Sequence, residues 1–230
     1  MKTIGLIGGM SWESTVSYYQ LLNRGINQKL GGLHSAKLIL NSVNFAEIEQ
    51  LQHEGDWQQT AVILKKAAQS LQAAGADFIM ICTNTMHLVA DEVAASVDIP
   101  LLHIVNAVGQ TLQSHKVEKT ALLGTIFTMQ KPFYKEKLQN EYGIEVLTPN
   151  KEQQSLIHNV IYQELCKGQI NPNSKAAYVK IVEDLASQGA QGAILGCTEI
   201  GLLLQPNDTC IPIFDTTKIH AQAAVECALS

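Results

Sequence analysis

Charged side chains are scarce in this chain: Asp, Glu, Lys and Arg make up 16% of its 230 residues. Lys and Arg form no runs, and the formal net charge is −5. Nucleic acids and anionic membrane surfaces are held by clustered cations, so neither partner is expected. No apolar stretch reaches the ~18 residues of a membrane span. The first residues, Met1 to Gly5, run straight into a strand-like segment with no signal-peptide core or cleavage site. The five cysteines (Cys82, Cys166, Cys197, Cys210 and Cys227) are odd in number and form no CxxC pair. A disulfide framework or a zinc site is therefore not expected, and a reduced cytoplasmic thiol protein without metal is. Aromatics are few at 6%, yet hydrophobic residues reach 46%, with 16 Gly, which excludes disorder and suits an α/β protein.

The length fits one large domain or two small α/β lobes. Short unalternating runs rich in Ile, Leu and Val recur at 3–7, 37–43, 77–82, 101–104, 120–124, 144–147, 192–196 and 211–214. Such runs suit strands buried on both faces of a parallel sheet. Between them lie helical periods. In 57–74, Ala61, Leu64, Ala68 and Leu71 recur every three or four residues, and 178–187 places Ile181, Val182 and Leu185 on one side. Alternation of strand and helix predicts an α/β fold with right-handed crossovers.

The chain also repeats itself. Gly75-Ala76-Asp77-Phe78-Ile79-Met80-Ile81-Cys82-Thr83-Asn84-Thr85 aligns without a gap with Gly189-Ala190-Gln191-Gly192-Ala193-Ile194-Leu195-Gly196-Cys197-Thr198-Glu199. Ile99-Pro100 matches Ile211-Pro212, and Leu6-Ile7-Gly8 matches Leu122-Leu123-Gly124. The duplication predicts two pseudo-symmetric lobes of four strands each, flanked by helices, with a cleft between them and a cut near residue 115. Ligands of such sheets sit beyond the carboxyl ends of the strands, so the residues just after each strand matter most.

After the first strand comes Gly8-Gly9-Met10-Ser11-Trp12-Glu13-Ser14. The glycines admit close backbone approach, and Ser11 or Ser14 can cap a helix whose free N–H groups hold an anion; an ordinary capped turn accounts for the segment equally well. No GxGxxG or GxxxxGK[ST] pattern is present, so a dinucleotide or nucleotide triphosphate is not expected. After the third strand comes Thr83-Asn84-Thr85-Met86-His87, matched in the repeat by Cys197-Thr198-Glu199-Ile200. The repeat puts Thr83 and Cys197 at equivalent strand ends, facing each other across the cleft. A helix start after each offers N–H groups that bind a carboxylate and lower a thiol pKa from about 8.5. Cys82, Cys166, Cys210 and Cys227 read as inert packing residues.

Gly8-Gly9-Met10-Ser11, Thr83-Asn84-Thr85-Met86-His87 and Gly196-Cys197-Thr198-Glu199 together resemble the signatures of the aspartate/glutamate racemase superfamily, over essentially the whole chain. The resemblance implies a homodimeric, cofactor-independent racemase that needs no pyridoxal phosphate and interconverts L- and D-aspartate or glutamate, a small-molecule amino-acid substrate. It also implies that the terminal helix crosses back to the first lobe, giving 1–100 plus 208–230 and 101–207 as the two lobes. Family members carry two cysteines that work on opposite faces of the substrate. Here Thr83 stands in place of the first, as in the broad-specificity aspartate/glutamate branch.

Racemisation needs an acid or base on each side of a carbanion-like intermediate, and preorganised donors to stabilise it in a dry cleft. On that reading Cys197 is the thiolate base, acting on the L-enantiomer, and Thr83 is the donor on the opposite face, because an alcohol is too weak an acid to stand as alkoxide. Asn84, Thr85 and Thr198 hold the α-carboxylate. Met10, Ser11 and Thr125 complete a polar ring, and Gln52 reaches the distal carboxylate unless it lies on a solvated helix face. Glu199 and His87 tune nearby pKa values or cap and pack, while Lys218 and His220 offer a cation to the distal carboxylate or lie on a solvated helix face. Two other readings stay open: a one-cysteine enzyme resembling arylmalonate decarboxylase or hydantoin racemase, and a two-lobed binding protein without chemistry.

Overall fold

The computed structural model describes residues 1–230, which divide into two compact units: Met1–Ile104 with His220–Ser230, and Val105–Ile219. The first unit holds β1 (Ile4–Gly8), α1 (Trp12–Leu30), β2 (Leu38–Ser42), α2 (Phe45–Glu54), α3 (Trp57–Ala73), β3 (Phe78–Ile81) and α4 (Ala90–Ala94). The chain continues with α5 (Ile104–Ser114), β4 (Lys119–Gly124), α6 (Ile126–Gln130), α7 (Pro132–Tyr142), β5 (Glu145–Leu147) and α8 (Lys151–Gln163). It ends with α9 (Pro172–Ser187), β6 (Ala193–Gly196), α10 (Ile200–Leu203), β7 (Ile213–Asp215) and α11 (Thr216–Leu229).

Both sheets are wholly parallel, with strand orders β2-β1-β3 and β5-β4-β6-β7. The repeat seen in the sequence is thus a repeat of topology: in each unit the first strand is central and the third lies beside it. The fold is the expected α/β architecture, with one change. Residues 101–104 do not form a fourth strand of the first sheet; they supply a single parallel bridge, Ile79 to Leu101, because Ile104 already begins α5.

Strands buried on both faces account for the unalternating runs. Ile4 and Leu6 of β1, with Phe78 and Met80 of β3, pack against Tyr18, Leu22 and Ile26 of α1 and against Ala221, Ala224 and Val225 of α11. Ile7, Ile79 and Ile81 turn the other way, onto Ala61, Leu64, Ala68 and Leu71 of α3. These helical residues are the ones the periodicity of 57–74 singled out. Each aliphatic side chain fully buried this way contributes about 2 kcal/mol. Gly25 lets α1 approach α11, since a Cβ there would lie 2.7 Å from Val225 Cγ2.

In the second unit, Ala121 and Leu123 of β4 and Ala193 and Leu195 of β6 pack on Ile157 and Ile161 of α8 and on Tyr178, Ile181, Val182 and Leu185 of α9. Strand β7 hydrogen-bonds to β6, with Ile194 opposite Phe214. Residues 208–219 therefore belong with the second unit, not with the first as expected. The terminal segment rejoins the first unit only from His220, and the other boundary falls after Ile104 instead of residue 100.

Candidate active site

In the first unit the chain leaves β1 through Gly9, whose φ of +92° and whose Cβ position, 2.2 Å from the Val43 carbonyl, admit only glycine. Its N–H donates to Thr15 Oγ1 at 2.8 Å. Ser11 caps α1, its Oγ accepting the Ser14 N–H at 3.3 Å, and Met10 and Ser11 are both buried. Ser14 Oγ donates to the Cys82 carbonyl at 3.0 Å and ties this loop to the end of β3. The second candidate cap of the sequence reading is therefore the residue that joins the two strand ends.

Thr83 follows directly and is half-buried, while Asn84 and Thr85 are buried at the start of a 3₁₀ turn, Thr85–Val89. His87 Nδ1–H donates to the Thr83 carbonyl at 2.8 Å, and His87 Nε2 accepts the Ile104 N–H at 3.2 Å. The peptide carbonyl fixes the tautomer, because it can only accept. His87 thus meets Thr83 at its backbone rather than at its hydroxyl. Burial, with His103 and His220 beside it, holds His87 well below the ordinary histidine pKa. Gln52 does not lie on a solvated face of α2: it is buried, and its Nε2 donates to Met86 Sδ at 3.1 Å, within the same turn.

His220 corrects another expectation. It is fully buried, its Nε2–H donating to the Leu102 carbonyl at 2.8 Å and its Nδ1 paired with Tyr18 Oη at 3.0 Å. Burial lowers its pKa to about 4, so it offers no cation to a substrate. Lys218 is exposed and pairs at 3.3 Å with Asp215.

In the second unit, Thr125 follows β4 and caps α6, its Oγ1 accepting the Thr128 N–H at 3.2 Å. It plays the part that Ser11 plays after β1. Cys197 follows β6 and takes the place in its unit that Thr83 takes after β3. Thr198 and Glu199 are buried beside it. The Cys197 thiol donates to Glu199 Oε2 at 3.0 Å, and the Cys166 thiol donates to Glu199 Oε1 at 3.8 Å. One buried carboxylate therefore serves two thiols.

This arrangement overturns the expected lowering of the Cys197 pKa. Burial pushes the thiol well up, the Glu199 carboxylate and Cys166 add to the rise, and only the Glu199 N–H works against it. α10 is a four-residue helix, too short to offset the nearby carboxylate. At rest Cys197 is a protonated thiol with a base attached, not a standing thiolate. Cys82 is buried among Leu6, Phe78 and Met80, the inert role expected of it. Cys166 packs against the core as expected and also meets Glu199. Nothing local could have revealed this, because 33 residues separate it from Glu199 in sequence.

No three His, Cys, Asp or Glu side chains are grouped to hold a metal ion, and no helix is long and apolar enough to cross a membrane.

The family described as Asp/Glu/Hydantoin racemase matches residues 7–224. The chain belongs to that family. The broad-specificity amino-acid racemase RacX of Bacillus subtilis (strain 168) is 29% identical over 171 residues, 73% of each chain. A Yersinia pestis protein provisionally described as an Asp/Glu racemase superposes with a TM-score of 0.93 at 51% identity, over the whole of both chains. An aspartate racemase homologue from Pyrococcus horikoshii OT3 does so with a TM-score of 0.87 at 36% identity, again over both chains in full. The chain carries the Cys197 thiol with its carboxylate acceptor after β6, and the Thr83 alcohol at the matching position after β3, next to the buried Cys82.

Proposed function

We propose that this family member is a cofactor-independent racemase interconverting L- and D-aspartate or glutamate. The observation that carries the reading is the Cys197 thiol seated on the buried Glu199 carboxylate at a strand end. Glu199 accepts the thiol proton as substrate binds. The Cys197 thiolate then takes the α-proton of the L-enantiomer, leaving the C–H electron pair on carbon. Thr83 Oγ gives its proton to the opposite face, and solvent returns one to the oxygen. When the product leaves, the proton on sulfur and that on Glu199 reset the pair by loss of one to water. The equilibrium constant between free enantiomers is one, so a bias toward D-product lies in rates alone.

Asn84, Thr85 and Thr198 are assigned to the α-carboxylate, with Met10, Ser11 and Thr125 around them and Gln52 toward the distal carboxylate. A thiol and an alcohol are unequal partners: one has an acceptor for its proton, whereas the other is too weak an acid to ionise. Abstraction from the D-enantiomer is accordingly the slower direction. We assign the protein to the cytoplasm as a homodimer. Trp12, Val16 and Tyr19, an exposed apolar stripe along α1, support association with a second copy.

The test is α-proton exchange in deuterium oxide with L-Asp, L-Glu and an arylmalonate offered in parallel. Exchange of the amino acids is the expected result. Loss of carbon dioxide from the arylmalonate alone, or binding with no exchange, would replace the proposal with a decarboxylase or a binding protein. Thr83→Cys supplies an ionisable group to the weak side, and D-to-L exchange is expected to rise by about tenfold or more. An unchanged D-to-L rate would remove Thr83 from the mechanism.

A further inference from the structure

The register of the second sheet pairs Gly196 with Gly124 and Leu195 with Asp215. Carried one residue on from Gly196 and two on from Leu195, it sets Thr125 and Thr217 on either side of Cys197, in the row that follows the strands. The two threonines differ. Thr125 Oγ1 accepts the Thr128 N–H and meets Thr128 Oγ1, both at 3.2 Å. Thr217 is only 3% exposed, yet its Oγ1 has no hydrogen-bond partner in the protein. Its surroundings are otherwise satisfied: its N–H donates to Asp215 Oδ1 at 3.0 Å, Asp215 pairs with Lys218 at 3.3 Å, and Thr216 Oγ1 donates to the Leu195 carbonyl at 2.9 Å.

Packing does not ask for a hydroxyl at 217. Helical spacing puts Thr217 on the face of α11 that continues with Ala221, Ala224 and Ala228, all buried and apolar. Alanine or valine would suit that stripe, whereas a hydroxyl taken from water without a partner costs stability. A local rule broken at a strand end, next to the proposed base, marks a group whose partner is the substrate. We propose that Thr217 is a substrate-binding residue, whose hydroxyl donates to the α-carboxylate of the amino acid beside Cys197.

This deepens the racemase reading and rests on it. The α-carboxylate gains negative charge as Cys197 takes the α-proton, so a donor to it binds more strongly in the transition state. The distal carboxylate keeps its charge throughout, and a donor there would hold ground and transition states equally. The two roles therefore separate in kcat and KM.

The experiment compares Thr217→Val, which keeps the shape and loses the hydroxyl, with Thr217→Ser, which keeps the hydroxyl. In Thr217→Val, kcat for α-proton exchange on L-aspartate and L-glutamate is expected to fall by about tenfold or more. L-malate, with both carboxylates and a hydroxyl in place of the amine, is expected to bind about tenfold more weakly by calorimetry. Thr217→Ser stays within about threefold of wild type in both. The urea midpoint of ligand-free Thr217→Val is unchanged or higher, because an unsatisfied group is gone.

Thr217→Val equal to wild type in exchange and in malate affinity overturns the proposal. A raised KM with kcat unchanged overturns it in favour of the distal carboxylate. A lowered urea midpoint in Thr217→Val, or failure to fold, overturns it in favour of a hydroxyl that serves the fold. Absence of exchange in the wild-type protein overturns the racemase reading alone, since the malate affinities still decide whether Thr217 holds a carboxylate. Absence of malate binding as well overturns both.

Discussion

Cys197→Ala is expected to lose α-proton exchange on L-aspartate and L-glutamate by about 10³-fold or more, because no other group replaces the base. Cys197→Ser is expected to fall nearly as far: a hydroxyl is a much weaker acid than a thiol, and Glu199 cannot ionise it to a useful extent. Glu199→Gln separates the acceptor from the base. The amide keeps the shape and the sulfur contact but takes no proton, so kcat is expected to drop by about 10²-fold with little change in KM. Deuterium incorporation at the α-carbon, followed by proton NMR, reads all three. Substantial exchange by Cys197→Ala would remove the thiol from the reaction, whatever became of Glu199.

The second large effect is on stability. His87 and His220 are buried and neutral in the first unit, and His87 lies 4.6 Å from the His103 ring, centre to centre. For His220 the folded pKa is about 4, below an unfolded value of about 6.5. The unfolded chain therefore binds more protons in that window, and stability is lost as pH falls through it. Between pH 7.5 and 5 this group alone costs roughly 2 kcal/mol, and His87 adds to it with the same sign. Protonated His87 would also turn an N–H toward the Ile104 N–H it now accepts from. His220→Gln removes the titrating group, so its urea midpoint is expected to depend less on pH than the wild-type midpoint. Identical slopes for the two proteins would show that His220 is not a buried neutral imidazole.

The strands were legible because a parallel sheet covered on both faces leaves a plain mark, an unbroken apolar run. Ile4 to Ile7 and Ile79 to Ile81 show it, and a helix such as 57–74 shows its own period just as clearly. Segment 101–104 was misread because a short apolar run looks the same whether it pairs or leads into a helix. The solvated-face readings of Gln52 and His220 fail for a related reason. A polar residue in an amphipathic helix is normally solvated, and only its neighbours in space show that it is buried and satisfied. The expected lowering of the Cys197 pKa fails because a helix N-terminus is outweighed by burial of the sulfur and then by the carboxylate two residues on, whose side chain turns back onto it.

The sequence by itself determined the α/β class, the internal duplication and the two equivalent strand ends that carry Thr83 and Cys197. Each follows from local pattern: apolar runs, repeated words and small residues after strands. Tertiary structure alone decided the protonation states. Burial and charge at a given atom depend on residues far apart in sequence, as when Cys166 and Cys197 meet one Glu199 carboxylate, or Tyr18 and Leu102 enclose His220. Such groups set the energy of an ionised form through the space around it, and that space exists only once the chain has folded.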